Sequence, residues 1–151
     1  MKKALILGIA LLAAVTLWSV SYAKEEKTKE PDPVWQLTYL KALLGQQDRL
    51  ERFILLNWFG PDEKARKKGY IDGFLLLRGS PDDPSWDLVV IDIFPDSTAH
   101  KQARERYRSE IMPGHEKQLV DGLDLPALGK IVAERTTNPV GGHVEAMRRG
   151  L

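Results

Sequence analysis

The chain has 151 residues, with 22 basic, 21 acidic and three histidine side chains, a formal net charge of +1 and no cysteine. Mixed charge close to balance excludes a bulk electrostatic footprint for nucleic acid or anionic lipid, so no nucleic-acid partner is expected. Without cysteine there is no disulfide and no acylated lipoprotein junction, and the fold must stand on an apolar core, which a chain of this length can build.

Residues 1–23 read as a signal peptide. Lys2 and Lys3 give a positive start, Ala4 to Val20 carry no charge, and Ser21-Tyr22-Ala23 puts small residues at both positions a signal peptidase reads. Cleavage after Ala23 places the product in the periplasm or outside the cell. It also removes Lys2 and Lys3, leaving 20 basic side chains against 21 acidic ones. The apolar run approaches the ~20 residues that cross a bilayer. The alternative is therefore an uncleaved anchor, the one case in which a membrane would be a partner. Residues 24–33 are charged, poor in apolar side chains and end Pro31-Asp32-Pro33, the composition of a flexible leader.

Val34 to Ala42 reads as a first strand, with Trp35, Leu37 and Tyr39 on one face and Gln36 and Thr38 opposite. Leu50, Phe53, Ile54, Asn57 and Trp58 follow the i, i+3, i+4, i+7, i+8 rhythm of an amphipathic helix, and Gly60-Pro61 is expected to stop it. Pro61 can open a second helical turn that Gly69 closes, with Asp62 and Glu63 complementing its positive end. Tyr70 to Arg78 and Trp86 to Phe94 read as strands joined by a polar loop, hence a hairpin. Ala99, Ala103, Tyr107 and Ile111 recur every fourth residue and mark a second main helix. A short helical piece is expected through Val120, a turn-rich stretch from Gly122 to Gly129, and a last strand over Lys130 to Thr136. Residues 138–151 read as a flexible tail, so that 34–137 form one domain.

Strand, helix, strand, strand, helix, strand is the ferredoxin-like βαββαβ pattern. It predicts an α+β fold: a four-stranded antiparallel sheet with helices on one face. Leu75 to Leu77 and Leu88 to Ile91 are apolar on both faces, so the uncovered side calls for burial, and a homodimer through the sheet is the expected solution.

Three stretches carry a family resemblance. They are the first strand with Gly45 and the Leu50 to Trp58 helix; Gly69-Tyr70-Ile71-Asp72-Gly73-Phe74; and Trp86-Asp87-Leu88-Val89-Val90-Ile91 with Phe94-Pro95-Asp96. Over roughly residues 34 to 137 the chain resembles the dimeric α/β-barrel superfamily of ferredoxin-like proteins. That superfamily includes the stress-responsive barrel, NIPSNAP-like, EthD-like and antibiotic-biosynthesis monooxygenase families. The resemblance implies back-to-back sheets in a dimer and a cleft between sheet and helices. It matches no family catalytic residue to a position here, and the fold by itself does not fix a function.

Two readings of the cleft follow. It holds a small apolar ligand, or a partner, in a non-catalytic protein; or it houses a cofactor-independent monooxygenase-like or haem-handling enzyme. The residues that would line it are Trp35, Asn57, Trp58, Tyr70 and His115. The aromatics bring apolar surface with an N–H or O–H to orient a ligand, or else they pack the core and the dimer interface. Asn57 is an amide on an apolar helix face, which either points into the cleft or bonds backbone. His115 follows Pro113-Gly114 and is the histidine best placed to act as a base or iron ligand. No histidine pair has metal-ligand spacing, and no cofactor or metal is called for. Asp87 and Asp92 on the central strand are expected at the sheet rim, or else Asp92 pairs across strands with Arg78, and a cross-strand ion pair is expected rather than a catalytic dyad.

Overall fold

A computed structural model describes residues 32–80 and 82–139. The proposed signal segment, nearly all of the leader and most of the tail lie outside these residues. The elements in order are β1 (Val34–Ala42), α1 (Gln47–Asn57), α2 (Phe59–Lys67), β2 (Gly73–Arg78), β3 (Leu88–Phe94), α3 (Ser97–Arg106), a π-helical turn (Tyr107–Ile111), the one-turn α4 (Leu125–Leu128) and β4 (Gly129–Thr137).

The strands form one sheet in the order β2-β3-β1-β4, and every neighbouring pair is antiparallel. β1 and β2 therefore run in the same direction with β3 between them, the split βαβ arrangement of the ferredoxin-like fold. Side chains alternate across each strand. On β3, Leu88, Val90 and Phe94 turn to the helices, and Val89, Ile91 and Ile93 turn to the other side.

The helix side has two apolar clusters. One joins Leu40, Leu50, Phe53, Ile54, Val90 and Leu128. The other joins Val34, Ala65, Ile71, Phe94, Ala99 and Ile111. The opposite face has its own cluster, in which Trp35, Leu37, Tyr39, Leu75 and Trp86 pack against Val89, Ile91 and Ile93. No residue of a described helix takes part in it, so the helices cover one face as the pattern predicts.

Four boundaries differ from expectation for identifiable reasons. α1 passes into α2 at Trp58, whose backbone is still right-handed, so Gly60 and Pro61 fall within the first turn of α2. There the missing proline N–H has no intrahelical role. Gly69, at φ +71°, ends α2: its N–H bonds Arg66 O at 3.0 Å and the Tyr70 N–H bonds Ala65 O at 2.9 Å. This is a Schellman closure, and it uses the Tyr70 backbone, so β2 starts at Gly73 instead. Residues 115–119 are irregular where a helical piece was expected, and Leu125–Leu128 form a helical turn where only loop was expected. Asp124 caps that turn by accepting from the Leu125 N–H at 2.7 Å.

The periodicity of the second main helix also has a structural outcome. Strict spacing by four outruns the ~3.6 residues of an α-turn, so Ala99, Ala103, Tyr107 and Ile111 would drift around a regular helix. The wider turn over Tyr107–Ile111, in which the Met112 N–H bonds Tyr107 O at 2.8 Å, brings Tyr107 and Ile111 back towards the sheet.

Candidate active site

The two helix-side clusters touch where the Phe59 and Phe74 rings meet edge to face, 4.8 Å between centres. On the same side of the sheet lies a cavity of about 250 Å³ lined by Asn57, Trp58, Pro61, Asp62, Asp92, Tyr107 and Met112. Its floor is β3 and its walls come from the end of α1, the start of α2 and the π-helical turn. Trp58, Pro61 and Met112 make it apolar, and two carboxyl groups sit inside it.

Asp92 is there by strand alternation, since it shares parity with Leu88, Val90 and Phe94. The expected Arg78 pairing does not occur. Arg78 stands opposite Leu88 and donates to Glu51 at 2.6 Å, whereas Asp92 stands opposite Phe74 on β2 and Gln36 on β1. Asp87, its presumed companion at the sheet rim, accepts from Lys41 Nζ at 3.0 Å and the Ala42 N–H at 2.7 Å. Asp92 Oδ1 is shut off from solvent and has no hydrogen-bond partner. A buried acceptor left open is costly, and such groups concentrate where a ligand completes them.

Asp62 lies in the first turn of α2 and is only 5% exposed. Its neighbour Glu63 faces outward and pairs with Arg66 at 2.8 Å, so the two acids expected to share the helix end do different things. Asp62 Oδ1 accepts from the Tyr107 hydroxyl at 2.8 Å.

Burial pushes the Asp62 carboxyl up to about 6, against the opposing pull of the Tyr107 hydrogen bond. Burial, and then the negative charge of Asp62, push Asp92 up to about 8. Desolvation and the adjoining carboxylates hold the Tyr107 phenol well above its usual range, so it stays a donor. Near neutral pH the pair therefore holds roughly one proton between the two carboxyls. Two carboxyl groups whose surroundings separate their acidities can divide the roles of acid and base.

Among the residues expected to line a site, Asn57 and Trp58 are brought together here. Asn57 resolves its two alternatives by doing both. It lines the cavity, but Nδ2 donates to Phe53 O and Gln118 O, both at 2.9 Å, and Oδ1 accepts from the Gln118 N–H at 2.7 Å. Its amide hydrogens are thus spent on clamping the 112–120 segment to α1. Trp35 lies on the opposite sheet face, in register with Ile93. Tyr70 is at the surface, where its hydroxyl donates to Glu110 and the Arg106 guanidinium stacks 4.6 Å from its ring centre. His115 is half-buried on the segment after the π-helical turn; its Nε2 is shut off from solvent without a partner, and it does not line the cavity. Among the described residues, no three His, Cys, Asp or Glu side chains group closely enough to hold a metal ion.

Asp62, Asp92, Tyr107 and Met112 escaped the sequence reading as site residues. The parity of Asp92 with three inward apolar positions was the available signal. For Tyr107 it was membership of the every-fourth apolar row.

No protein-family model matches the chain. No curated protein matches it either. Among solved structures, it is similar to a provisionally assigned antibiotic biosynthesis monooxygenase from Chloroflexus aurantiacus J-10-fl, with a TM-score of 0.43 and 16% sequence identity over 74% of this chain and 96% of that one. Nothing of that protein's chemistry transfers to this chain at such a distance.

Proposed function

We propose that the sheet–helix cavity binds a small organic molecule and transfers a proton on it without a bound cofactor. Asp62, ionised and steadied by Tyr107, is the base, and Asp92, which holds a proton in the free protein near neutral pH, is the group whose proton is exchanged when the ligand binds. The observation that carries this reading is the pair of carboxyls in one apolar cavity, one of them with an open buried oxygen. A receptor for a neutral apolar ligand gains nothing from burying two carboxyls, whose desolvation is unfavourable. The pair therefore argues against a receptor for a neutral ligand and for carboxyls that act on the occupant directly. Trp58 and Met112 supply the apolar contact that positions the ligand.

The sheet order and one-sided helices support kinship with the dimeric α/β-barrel proteins of the stress-responsive, NIPSNAP and EthD kind. The strand-only apolar cluster supports a homodimer through the open face. The leader composition supports export with cleavage after Ala23. Intact mass of the exported protein tests the cleavage, and sedimentation of Leu37→Glu against wild type tests the dimer.

The cavity itself is tested by screening small molecules for thermal stabilisation of the wild type and for its loss in Trp58→Ala. Each hit is then incubated in D2O and examined by mass spectrometry. Exchange that needs Asp62, and is lost in Asp62→Asn while binding persists, supports proton transfer. If hits bind but none exchanges, the catalytic reading falls. If no hit depends on Trp58, the site reading falls with it.

A further inference from the structure

Resting on the reading of this cavity as a ligand site, we propose that its occupant is an organic cation: a protonated primary amine on a flat apolar skeleton. Three features of the geometry point to it. Among the described residues, no Lys, Arg or His lines the cavity, although two carboxyls do, so the countercharge must arrive with the ligand. Asp92 Oδ1 lacks a donor, and an ammonium group brings three. Trp58 and Tyr107 both line the cavity, and aromatic faces attract cations, most strongly where water is excluded.

Lys64 is exposed and does not line the cavity, and other neighbouring cations are engaged elsewhere. On α2, Arg66 and Lys67 reach Glu63 at 2.8 and 3.6 Å, and after it Lys68 reaches Glu110 at 3.0 Å. Arg106, just before the π-helical turn, stacks on Tyr70. On the sheet side Asp92 is flanked by uncharged Phe74 and Gln36, and the Gln36 amide oxygen is 3.0 Å from His100 Nε2. The groups that titrate at the cavity are thus Asp62, Asp92 and Tyr107. A metal ion is a poorer fit than an organic cation, because the walls of Trp58, Pro61 and Met112 offer it no oxygen and hard divalent ions take six or more.

Binding a cation favours the ionised carboxyls, so the complex should release protons to solvent between pH 6 and 8. The experiment is calorimetric titration of the protein with benzylamine and 2-phenylethylamine, and with their neutral counterparts benzyl alcohol and 2-phenylethanol. Each titration is run at pH 7 in two buffers of different ionisation enthalpy. The amines should bind roughly tenfold or more tighter than the alcohols, with net proton release. Asp92→Asn, which keeps the shape and removes the charge, should lose both the preference and the release while staying folded by circular dichroism. Alcohols binding as tightly as amines, or amine binding unchanged in Asp92→Asn, would overturn the proposal while leaving the cavity a ligand site. Molecules that bind in a Trp58-dependent way but are all neutral or anionic would do the same. If no molecule binds in a Trp58-dependent way, the site reading itself is lost.

Discussion

Tyr107 donates its phenolic hydrogen to Asp62 at 2.8 Å, joining the π-helical turn to the first turn of α2 within the lining of the cavity. The bond opposes the burial that raises the Asp62 carboxyl. Tyr107→Phe removes the donor and keeps the ring. Asp62 should then titrate higher than about 6, followed by carboxyl carbon shifts in NMR. A hydrogen bond to a charged group is worth about 1.5–3 kcal/mol, so stability at pH 7.5 should fall by about that amount in urea. An unmoved Asp62 titration would detach Tyr107 from the pair.

The carboxyl pair also sets an unusual dependence of stability on pH. Asp62 and Asp92 hold their protons more tightly folded than unfolded, where both titrate near 3.8. Between about pH 4 and 8 the folded protein therefore binds the extra protons, and stability falls as pH rises. At about 1.4 kcal/mol for each unit of difference, the loss from pH 5 to 8.5 should be on the order of 5 kcal/mol, with Asp92 supplying the larger share. Surface carboxylates paired with cations, such as Glu63 and Asp121, are held below their ordinary values and act in the opposite sense. Thermal melts over pH 5–8.5 should show a declining midpoint in wild type and a much flatter one in Asp92→Asn. A midpoint rising with pH would contradict the burial assigned to both groups.

The topology was legible because hydrophobic periodicity reports which face of each element is buried, and that suffices to place four strands and one helical layer. The site was less legible for a physical reason. An inward-facing acid breaks the apolar pattern, and the common resolution of such a break is a surface ion pair, which is why Asp92 was matched to Arg78. Parity argued otherwise, since Leu88, Val90 and Phe94 flank Asp92 on its own face. Asp62 gave weaker warning, because an acid in the first turn of a helix is ordinarily explained by the dipole alone. The meeting of the two depends on how α2 crosses the sheet, and that long-range relation is not written in either segment. Trp35 and Tyr70 show the converse. Both are large and partly apolar, but Trp35 takes the face given by Leu37 and Tyr39, and Tyr70 follows a helix closure that carries it to the surface.

Asn57 holds both hydrogen-bonding groups of Gln118 with one amide. Asn57→Ala deletes these bonds and the one to Phe53 O, freeing the segment that follows the π-helical turn. Water can reach part of the gap because Gln118 is exposed. The cost should therefore be about 2 kcal/mol rather than the sum of three buried bonds. Hydrogen exchange at the Gln118 amide should rise at least tenfold, with β1 and β3 amides much less affected. Exchange that rises uniformly would mean global destabilisation and no local clamp.

Gly129, where α4 turns into β4, sits tightly against the end of β1. A Cβ built there would lie 2.6 Å from Lys41 O, 2.9 Å from Leu50 Cδ2 and 3.2 Å from the Ala42 Cα. Its φ of 178° is extended backbone that any residue adopts, so space alone demands glycine. Two of the three neighbours are backbone of β1, paired with β4 on one side and tied through the Ala42 N–H to Asp87 at 2.7 Å, and cannot retreat cheaply. Gly129→Ala should push β4 away from Ala42 and loosen Leu50 and Leu128 in the core, at roughly 2–3 kcal/mol by the ordinary penalty of overpacking. Urea unfolding measures the loss. Exchange at β4 amides should rise ahead of β3, because the clash sits where β4 begins to pair. Unchanged stability would mean that β4 does not start against β1 at this residue.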